Sequence, residues 1–317
     1  MERIVDKYMD YIGLSTFFPV VQKYLSASSL RRLKYIGYFC GMDYASKDIY
    51  NFKEKITRFD HSMTVALLTY KLTNSKKKAL AGLFHDIATP CFSHAIDYMN
   101  GDYANQESTE ELTGTIILSD KVIIKCLRDD GIDPEDIINY KQYTVVDNDR
   151  PKLCADRLDG IILTGIGWTK NLSYHDIVEI IDDVRIYQNE FGEDEIGFAS
   201  ERVARKVLAI SNQIDEYCHQ DDDNFMMNLL GTIAKKGIEK GLFRYEDLFT
   251  LAEKDILSLL DRSEDNEIKS LMYTFRNVQK HEIVPVELQG IKRRILNPLV
   301  KGERLIKSWH HLVSAFL

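Results

Sequence analysis

The chain has 317 residues, of which 44% are hydrophobic and 28% charged, the usual balance of a globular protein with one or two domains. Its net charge of −8 disfavours sequence-independent nucleic-acid binding, which depends on clustered lysine and arginine. No segment approaches the roughly 18 apolar residues of a membrane span, and no signal-peptide core follows the N-terminus. We therefore expect a cytoplasmic protein without a membrane partner, and nucleic acid is a poor candidate ligand.

Helical periodicity dominates the chain from its N-terminus. The segments IVDKYMDYIG and SSLRRLKYIGYF repeat apolar residues at helical spacing. DHSMTVALLTYKL and SKKKALAGLFHD predict two consecutive core helices, because their apolar content is too high for a surface position. The pair Thr89–Pro90 suits a helix start and predicts a helix that runs through CFSHAIDYM.

The second half continues in helices and then changes character. Further helices are predicted at about 108–128, 134–140, 151–164, 173–189, 198–218, 222–239 and 246–261, and over EIKSLMYTFRN. EIVPVELQGIKRRILNPLVKGERLIKSW, with two prolines, two glycines and alternating apolar residues, predicts short strands. The predicted fold is mainly α with a small β element near the C-terminus. A boundary near 190 would separate residues 1–190 from a helical extension, 191–317, in one continuous globule.

The five cysteines predict reduced thiols. They are odd in number, widely spaced and without a C-x-x-C pair, which argues against a disulfide framework or a zinc knuckle. They are Cys40, Cys91, Cys126, Cys154 and Cys218. A metal site in this chain therefore has to be built from imidazoles and carboxylates.

Three predicted core helices each contain such a group. His61 opens one helix, His85–Asp86 ends the next, and Asp156 lies in KLCADRLDGIILTG. Imidazole and carboxylate together suit Mn²⁺, Fe²⁺, Zn²⁺, Ni²⁺, Co²⁺ or Mg²⁺, and such an ion can activate water beside a phosphoryl group. A buried histidine such as His61, taken alone, is more often a hydrogen-bonded core residue than a metal ligand. The ordered set H…HD…D on successive helices favours a divalent metal.

This set resembles the ligand set of the HD-domain metal-dependent phosphohydrolases. Within them it looks closest to the deoxynucleoside triphosphate triphosphohydrolases and related dGTPase-like proteins. LRRLKYIGYF with TRFDHSMTVALL is similar to the family's QRLRxIxQLG…xRFEHSLGVxxLA, GLFHDIATPCFSH to ALLHDIGHGPFSH, and ADRLDGIIL to VDxLDYLxRD. The good matches cover residues 28–165. The resemblance implies a helical HD core at 1–190 and a homo-oligomer.

The resemblance also implies roles for individual residues. The implied metal ligands are His61, His85, Asp86 and Asp156, with Asp86 also counted as catalytic. Arg58 would lie near the nucleotide and Arg157 where the family has a phosphate-binding lysine. His94 would sit beside the substrate phosphates as a catalytic and binding residue. Tyr38 stands where the family has a glutamine that contacts deoxyribose.

Two histidines of the triphosphohydrolases are missing. Thr89 stands at the end of HDxxH, and Gln106–Glu107 stands where the family has an HE pair. These departures affect proton handling rather than metal binding. Glu107 is the candidate general acid or base, although a glutamate early in a helix is also favoured by the helix dipole alone. Asp159 shares a helical face with Asp156 and is expected to orient a ligand.

Two hypotheses for the function follow. The first is a metal-dependent phosphohydrolase that acts on a nucleotide or related phosphoester through a metal-activated water. The second is a catalytically degenerate HD protein that binds a nucleotide or a protein partner in a regulatory role. The intact H…HD…D set favours the first hypothesis, and the missing histidines favour the second.

Overall fold

A computed structural model of the protein describes residues 2–106, 108, 110–286, 288 and 290–307. In this part the chain is mainly helical with one small sheet, so the predicted fold class is confirmed. The first six α-helices are α1 (Ile4–Ile12), α2 (Leu14–Val21), α3 (Ser28–Arg32), α4 (Arg58–Thr73), α5 (Lys76–Phe84) and α6 (His94–Asn100).

The start of α4 is fixed by a capping box. The backbone N–H of Asp60 donates to Thr57 Oγ1 at 3.1 Å, and the N–H of Thr57 donates to Asp60 Oδ2 at 2.8 Å. These bonds satisfy donors that a helix start leaves free. Because α4 begins here, Arg58 and His61 lie in its first turn, where both are buried.

The helix predicted from Thr89–Pro90 begins later, at His94. Its N-cap is Ser93, and Phe92 and Ser93 have φ values of 67° and 45°. Side chains other than glycine adopt this region rarely, so the two residues form a strained turn that interrupts the predicted helix. The prediction that Thr89 caps this helix is therefore wrong.

Nine α-helices follow, and several are shorter than predicted. They are α7 (Thr113–Ser119), α8 (Lys121–Asp129), α9 (Pro134–Ile138), α10 (Ala155–Gly167), α11 (Tyr174–Asp183), α12 (Glu201–Cys218), α13 (Asp221–Glu239), α14 (Glu253–Asp261) and α15 (Asn266–Asn277). Asp120 divides the helix predicted at 108–128, because its side chain accepts the N–H groups of Val122 and Ile123. Short 3₁₀ helices lie at Tyr24–Ser26, Leu33–Tyr35, Met42–Tyr44, Glu110–Leu112, Tyr140–Gln142, Tyr245–Phe249 and Lys280–Glu282.

The sheet joins the middle of the chain to its C-terminal part. Its strands are β1 (Val184–Gln188), β2 (Asp194–Phe198), β3 (Leu299–Val300) and β4 (Glu303–Arg304), in the order β1-β2-β3-β4. β1 and β2 form an antiparallel hairpin, β2 pairs with β3 in parallel, and β3 pairs with β4 antiparallel. The helix predicted at 173–189 therefore ends at Asp183, and residue 190 lies in the loop between β1 and β2.

Helix α4 is the centre of the fold. It packs against α1, α5 and α10, and its side chains are buried from Arg58 through Thr69 except for Phe59. Helix α13 packs on α6, where a Cβ at Gly231 would lie 2.8 Å from the Ala95 carbonyl oxygen. The missing side chain lets the two backbones approach closely. The ends of α4, α5, α6 and α10 thus meet around one cavity.

Candidate metal centre and its cavity

His61 is held between two carboxylates of α10. Its Nδ1 lies 2.7 Å from Asp159 Oδ2, and its Nε2 lies 3.0 Å from Asp156 Oδ1. Burial lowers the pKa of His61, but the hydrogen bonds to Asp156 and Asp159 outweigh burial and raise the pKa to about 10. A carboxylate only accepts, so Nδ1–H donates to Asp159. The position between Nε2 and Asp156 consequently favours a cation, whether a proton or a metal ion.

His85 presents a bare nitrogen to the same position. Its Nδ1 donates to the Gly82 carbonyl oxygen at 2.7 Å, which leaves Nε2 as the acceptor nitrogen of the neutral ring. Nε2 is buried without a hydrogen-bond partner among the described residues, 3.4 Å from Asp156 Oδ1 and 3.8 Å from Asp86 Oδ1. Buried polar atoms without a partner are uncommon in proteins. A lone pair beside two carboxylates fits a metal ligand.

Asp86 completes the cluster. Its Oδ2 lies 3.8 Å from His61 Nε2 and accepts a hydrogen bond from Arg58 Nη1 at 3.0 Å. Burial raises the pKa of Asp86, but the neighbouring His85 imidazole and Arg58 guanidinium outweigh burial and lower the pKa to about 2. Ligand atoms of His61, His85 and Asp86 all lie within 4.8 Å of one another. Asp156 joins them through its contacts with both histidines, so the four residues fit a divalent metal.

A second group, Asp147, Cys154 and Asp156, also lies close enough together to be considered as a metal site. The Cys154 thiol donates to Asp147 Oδ1 at 3.7 Å. Burial raises the pKa of Cys154 to about 12, which keeps it in the thiol form. Because a metal binds the thiolate, this group is the weaker candidate.

Arg58 and Tyr38, both predicted to bind substrate, border the metal cluster. Besides its bond to Asp86, Arg58 donates from Nε to Ser93 Oγ at 3.2 Å, and its Cζ lies 5.1 Å from the Tyr38 ring centroid. The Tyr38 ring lies 5.3 Å from the His61 ring, and its hydroxyl donates to the Gly160 carbonyl at 3.4 Å. Both side chains line the cavity.

His94 opens α6 and is oriented by Asp97, three residues further along the helix. Its Nδ1 lies 2.9 Å from Asp97 Oδ2. Burial raises the pKa of Asp97, but hydrogen bonds from His94 and Ser108 lower it overall. The ionised carboxylate accepts, so Nδ1 carries the proton and Nε2 is the acceptor nitrogen. His94 is partly exposed and lines the cavity, which allows its imidazole to reach a bound ligand.

The other predicted proton carrier, Glu107, lies outside the described residues, so its role stays a prediction. Gln106 precedes it, is buried, and lines the cavity. Thr89 contributes its carbonyl oxygen as the acceptor for Arg32 Nη2 and lines a small pocket next to Asp86.

Arg157 uses much of its guanidinium within the protein. Nη1 donates to Asn148 Oδ1 at 2.8 Å and to the Lys152 carbonyl oxygen, and Nη2 donates to the Asn148 carbonyl oxygen at 2.7 Å. Nε is buried without a hydrogen-bond partner among the described residues. Arg157 therefore fixes the segment 148–152 along the cavity, and phosphate binding by this side chain stays a prediction.

The cavity has a volume of about 750 Å³ and extends well beyond the metal cluster. One part is aromatic, with Phe39 and Phe52 stacked at a centroid distance of 4.1 Å and Trp168 edge-on to Phe52. Another part carries Arg150 and Arg294. Neither part was predicted from the sequence. Their residues come from loops and segments far apart in the chain, where no periodicity identifies them.

Asp97 and Ser93 were not predicted either. The spacing of three residues between His94 and Asp97 places both on one helical face and could have identified that pair. Ser93 had no comparable signal, because its contact with Arg58 depends on the strained turn before α6.

Comparison with known families agrees with this geometry. Residues 58–159 match the sequence family described as the HD domain. This segment spans α4 through the first turns of α10 and includes His61, His85, Asp86 and Asp156. No helix in the described part of the chain is long and apolar enough to cross a membrane.

Two relatives match this chain over long stretches. An uncharacterized protein of Bacillus subtilis, YdhJ, is 24% identical over 298 residues, which cover 91% of this chain and 86% of the relative. Metal-dependent phosphohydrolase cns2 of Cordyceps militaris is 22% identical over 194 residues, or 61% of this chain and 51% of the relative.

Two solved structures share the fold. A hypothetical protein from Aquifex aeolicus aligns with a TM-score of 0.59 and 18% identity, over 81% of this chain and 70% of that one. A phosphohydrolase from Bacteroides thetaiotaomicron aligns with a TM-score of 0.56 and 16% identity, over 80% of this chain and 72% of that one. At these identities the comparison establishes the helical architecture.

Proposed function

We propose that this HD protein is a metal-dependent phosphohydrolase that acts on a nucleotide or a related phosphoester. One observation carries the proposal. The buried, unpartnered Nε2 of His85 lies among His61, Asp86 and Asp156 in the wall of a cavity of about 750 Å³. The similarity to cns2, described as a metal-dependent phosphohydrolase, supports the reaction class.

His61, His85, Asp86 and Asp156 would hold the metal. When bound, a divalent metal supplies Lewis acidity that polarises a phosphoryl oxygen and makes a coordinated water more acidic. Asp159 fixes the tautomer of His61 that leaves Nε2 directed at the cluster. Arg58 keeps Asp86 ionised and places a positive charge beside the position where a phosphoryl group would bind.

His94 is the described residue best placed to move a proton. Its Nδ1–H is committed to Asp97, so Nε2 can accept a proton from an attacking water or, once protonated, donate one to a leaving oxygen. Glu107 remains the alternative carrier in this proposal. His94→Gln tests the first assignment, because the amide can still form a hydrogen bond to a phosphate but cannot carry the proton. Loss of kcat with an unchanged KM would support His94 as the proton carrier.

The aromatic part of the cavity supports a nucleotide as the substrate. Phe39, Phe52 and Trp168 offer apolar faces against which a planar base can stack. The sequence resemblance makes deoxynucleoside triphosphates the first substrates to test and a homo-oligomer the first assembly to look for. Thr89 and Gln106, in place of two family histidines, predict that triphosphate release is slower than in those enzymes.

A hydrolysis screen tests the proposal. The purified chain is incubated with Mn²⁺, Mg²⁺, Co²⁺ or Ni²⁺ and with deoxynucleoside triphosphates, nucleoside triphosphates, nucleoside monophosphates or a phosphodiester, and products are separated by chromatography. We expect phosphate, pyrophosphate or triphosphate release that falls at least about a thousandfold in Asp86→Ala, since the metal chemistry is lost. Asp261→Ala, which removes a partly exposed carboxylate paired with Arg276, is the matched control.

Equal turnover by Asp86→Ala and the wild type would contradict the proposal. The missing histidines favour a second candidate, a regulatory HD protein that binds a nucleotide or a partner protein without turnover. No turnover on the whole panel, with metal and a nucleotide both bound, would support this second candidate.

A further inference from the structure

Two arginines that are far apart in the sequence line the metal cavity. Arg150 lies in the segment before α10, inside the HD domain, and Arg294 lies shortly before β3. Arg157 lines the same cavity, and its charge acts on Arg150 together with that of Arg294. Three guanidinium groups thus converge in a chain whose overall charge is −8.

Neither Arg150 nor Arg294 forms an ion pair within the described residues. The Arg294 guanidinium has no side-chain hydrogen bond there, and Arg150 has one long contact of 3.5 Å to the Ile295 carbonyl oxygen. Two other recessed arginines are paired with acids, since Arg58 contacts Asp86 at 3.0 Å and Arg304 contacts Glu195 at 2.6 Å. Arg32, outside this cavity, has no ion pair among the described residues and donates to the Thr89 carbonyl oxygen. Arg150 and Arg294 thus differ from Arg58, which lines the same cavity and has an acidic partner.

Two acids act on these arginines through their charge, but neither forms an ion pair with them among the described residues. The charge of Asp223 acts on Arg294, while Asp223 Oδ1 accepts the Tyr50 hydroxyl at 2.6 Å. The charge of Asp156 acts on Arg150 less than burial, Arg157 and Arg294 do, and Asp156 itself contacts His61 and His85. Burial and the neighbouring Arg157 and Arg294 lower the pKa of Arg150 to about 9.

Recessed cations without a partner destabilise a fold unless a ligand neutralises them. A guanidinium group donates two parallel hydrogen bonds to a phosphate or a carboxylate. The cavity that holds both arginines also contains the metal cluster, and its volume of about 750 Å³ is that of a site for a whole small molecule. One ligand can therefore contact both the metal cluster and the two arginines.

We infer that Arg150 and Arg294 form a second anion subsite, which binds a phosphate or carboxylate group of the substrate away from the phosphoester at the metal. This inference rests on the proposed function and narrows the substrate class to molecules with two separate anionic groups. Arg150 and Arg294 are specificity-determining residues, because they contact the distal group and not the reacting phosphorus.

Two inert ligands that differ by one carboxylate test the subsite. Hexylphosphonate has one anionic group and 6-phosphonohexanoate has two, and neither can be hydrolysed at phosphorus. Binding of each to the Mn²⁺-loaded full chain is measured by calorimetry. The wild type should bind 6-phosphonohexanoate at least about tenfold more tightly, since each charge-assisted hydrogen bond accounts for roughly that factor.

The tighter binding of 6-phosphonohexanoate should disappear in Arg150→Gln and in Arg294→Gln. Arg294→Lys should restore part of it, because lysine keeps the positive charge but lacks the two parallel donors of a guanidinium group. Arg205→Gln is the control, since Arg205 is exposed and pairs only with Glu201 among the described residues. Thermal melts check that each variant is folded. No preference in the wild type, or an undiminished preference in both glutamine variants, would overturn the inference.

Two further outcomes distinguish a failure of this inference from a failure of the proposed function. A tenfold preference in a protein that hydrolyses nothing would support the subsite and contradict the phosphohydrolase. Saturable binding of inorganic phosphate to the hexylphosphonate complex, without any gain from the attached carboxylate, would assign the arginines to a separate anion and overturn the substrate part of the inference.

Discussion

The two sides of the cavity are built in opposite ways. Around the metal cluster, acids and bases contact one another, with His61 between Asp156 and Asp159 and Asp86 on Arg58. On the arginine side, Arg150 and Arg294 face the cavity without an ion pair among the described residues. The first side brings together imidazoles and carboxylates that could hold a cation. The second side carries two positive charges without an acidic partner among the described residues, as the inferred anion subsite requires.

An arginine in the sheet shows how an arginine that stabilises the fold is paired with acids. Arg304 of β4 donates to both oxygens of Glu195 in β2, at 2.6 and 2.7 Å, and Glu195 is fully buried. Glu195 also accepts the Leu153 N–H at 3.1 Å, just before α10. This pair ties the C-terminal strands to the HD domain. Arg304, which stabilises the fold, is thus paired with acids, unlike Arg150 and Arg294.

The largest expected effect compares these two kinds of arginine. Arg304→Gln should lower the free energy of unfolding by about 3–5 kcal/mol, because it leaves the buried Glu195 carboxylate without its partner. Arg294→Gln should change it by less than about 0.5 kcal/mol or raise it, since no paired acid is exposed. Urea denaturation of both variants measures the difference. Equal destabilisation would show that Arg294 has a structural role.

The second prediction concerns a buried acid that forms no ion pair among the described residues. Glu253, at the start of α14, accepts the Phe92 N–H at 3.2 Å and so supports the turn before His94. Burial raises the pKa of Glu253 to about 7. Below pH 4.5 the group is neutral in both states. As the pH rises from 4.5 to 7, only the unfolded state loses its proton, so stability falls by at most about 3 kcal/mol.

Glu253→Gln should remove this loss. Chemical denaturation of the wild type and the variant at pH 5 and pH 8 measures it, and the wild type should lose more stability between the two values. Parallel curves for the two proteins would contradict the assigned protonation of Glu253.

The third prediction concerns Asp159, the carboxylate that orients His61 in the metal cluster. Asp159→Asn keeps the size of the side chain but removes the charge that orients His61 through Nδ1. Metal affinity should fall about 10- to 100-fold, the usual effect of removing a group that supports a metal ligand. Mn²⁺ titration measures the change. An unchanged affinity would mean that the Asp159 charge does not act on the metal through His61.

The residues of the metal cluster could be predicted because each is identified by the sequence pattern immediately around it. His61, His85, Asp86 and Asp156 lie at the ends of strongly apolar helices, so helical periodicity and residue chemistry located them together. The arginine side depends on a fold that brings residue 294 next to residue 150. No pattern in either segment shows that contact, and the good matches to the family's motifs end at about residue 165, with only a faint resemblance in IKRRILNPLVKGERL.

Backbone details explain the other differences. The turn at Phe92–Ser93 has positive φ values, which no sequence pattern predicted. The helix predicted from Thr89 therefore begins at His94. The strands β1 and β2 occupy a segment in which VRIYQ follows an amphipathic helix without a break in the apolar pattern. The sheet was expected near the C-terminus, but its longer hairpin lies in the middle of the chain, where tertiary pairing with β3 decides the conformation.

The bare nitrogen of His85 is the feature on which the metal centre depends most directly. Mn²⁺ titration of the metal-depleted wild type, His85→Ala and the control His175→Ala, which changes an exposed histidine, tests it. We predict one Mn²⁺ per chain for the wild type and the control, and loss of that site in His85→Ala with the fold retained. Equal Mn²⁺ binding by His85→Ala, or no stoichiometric binding by the wild type, would contradict the metal centre.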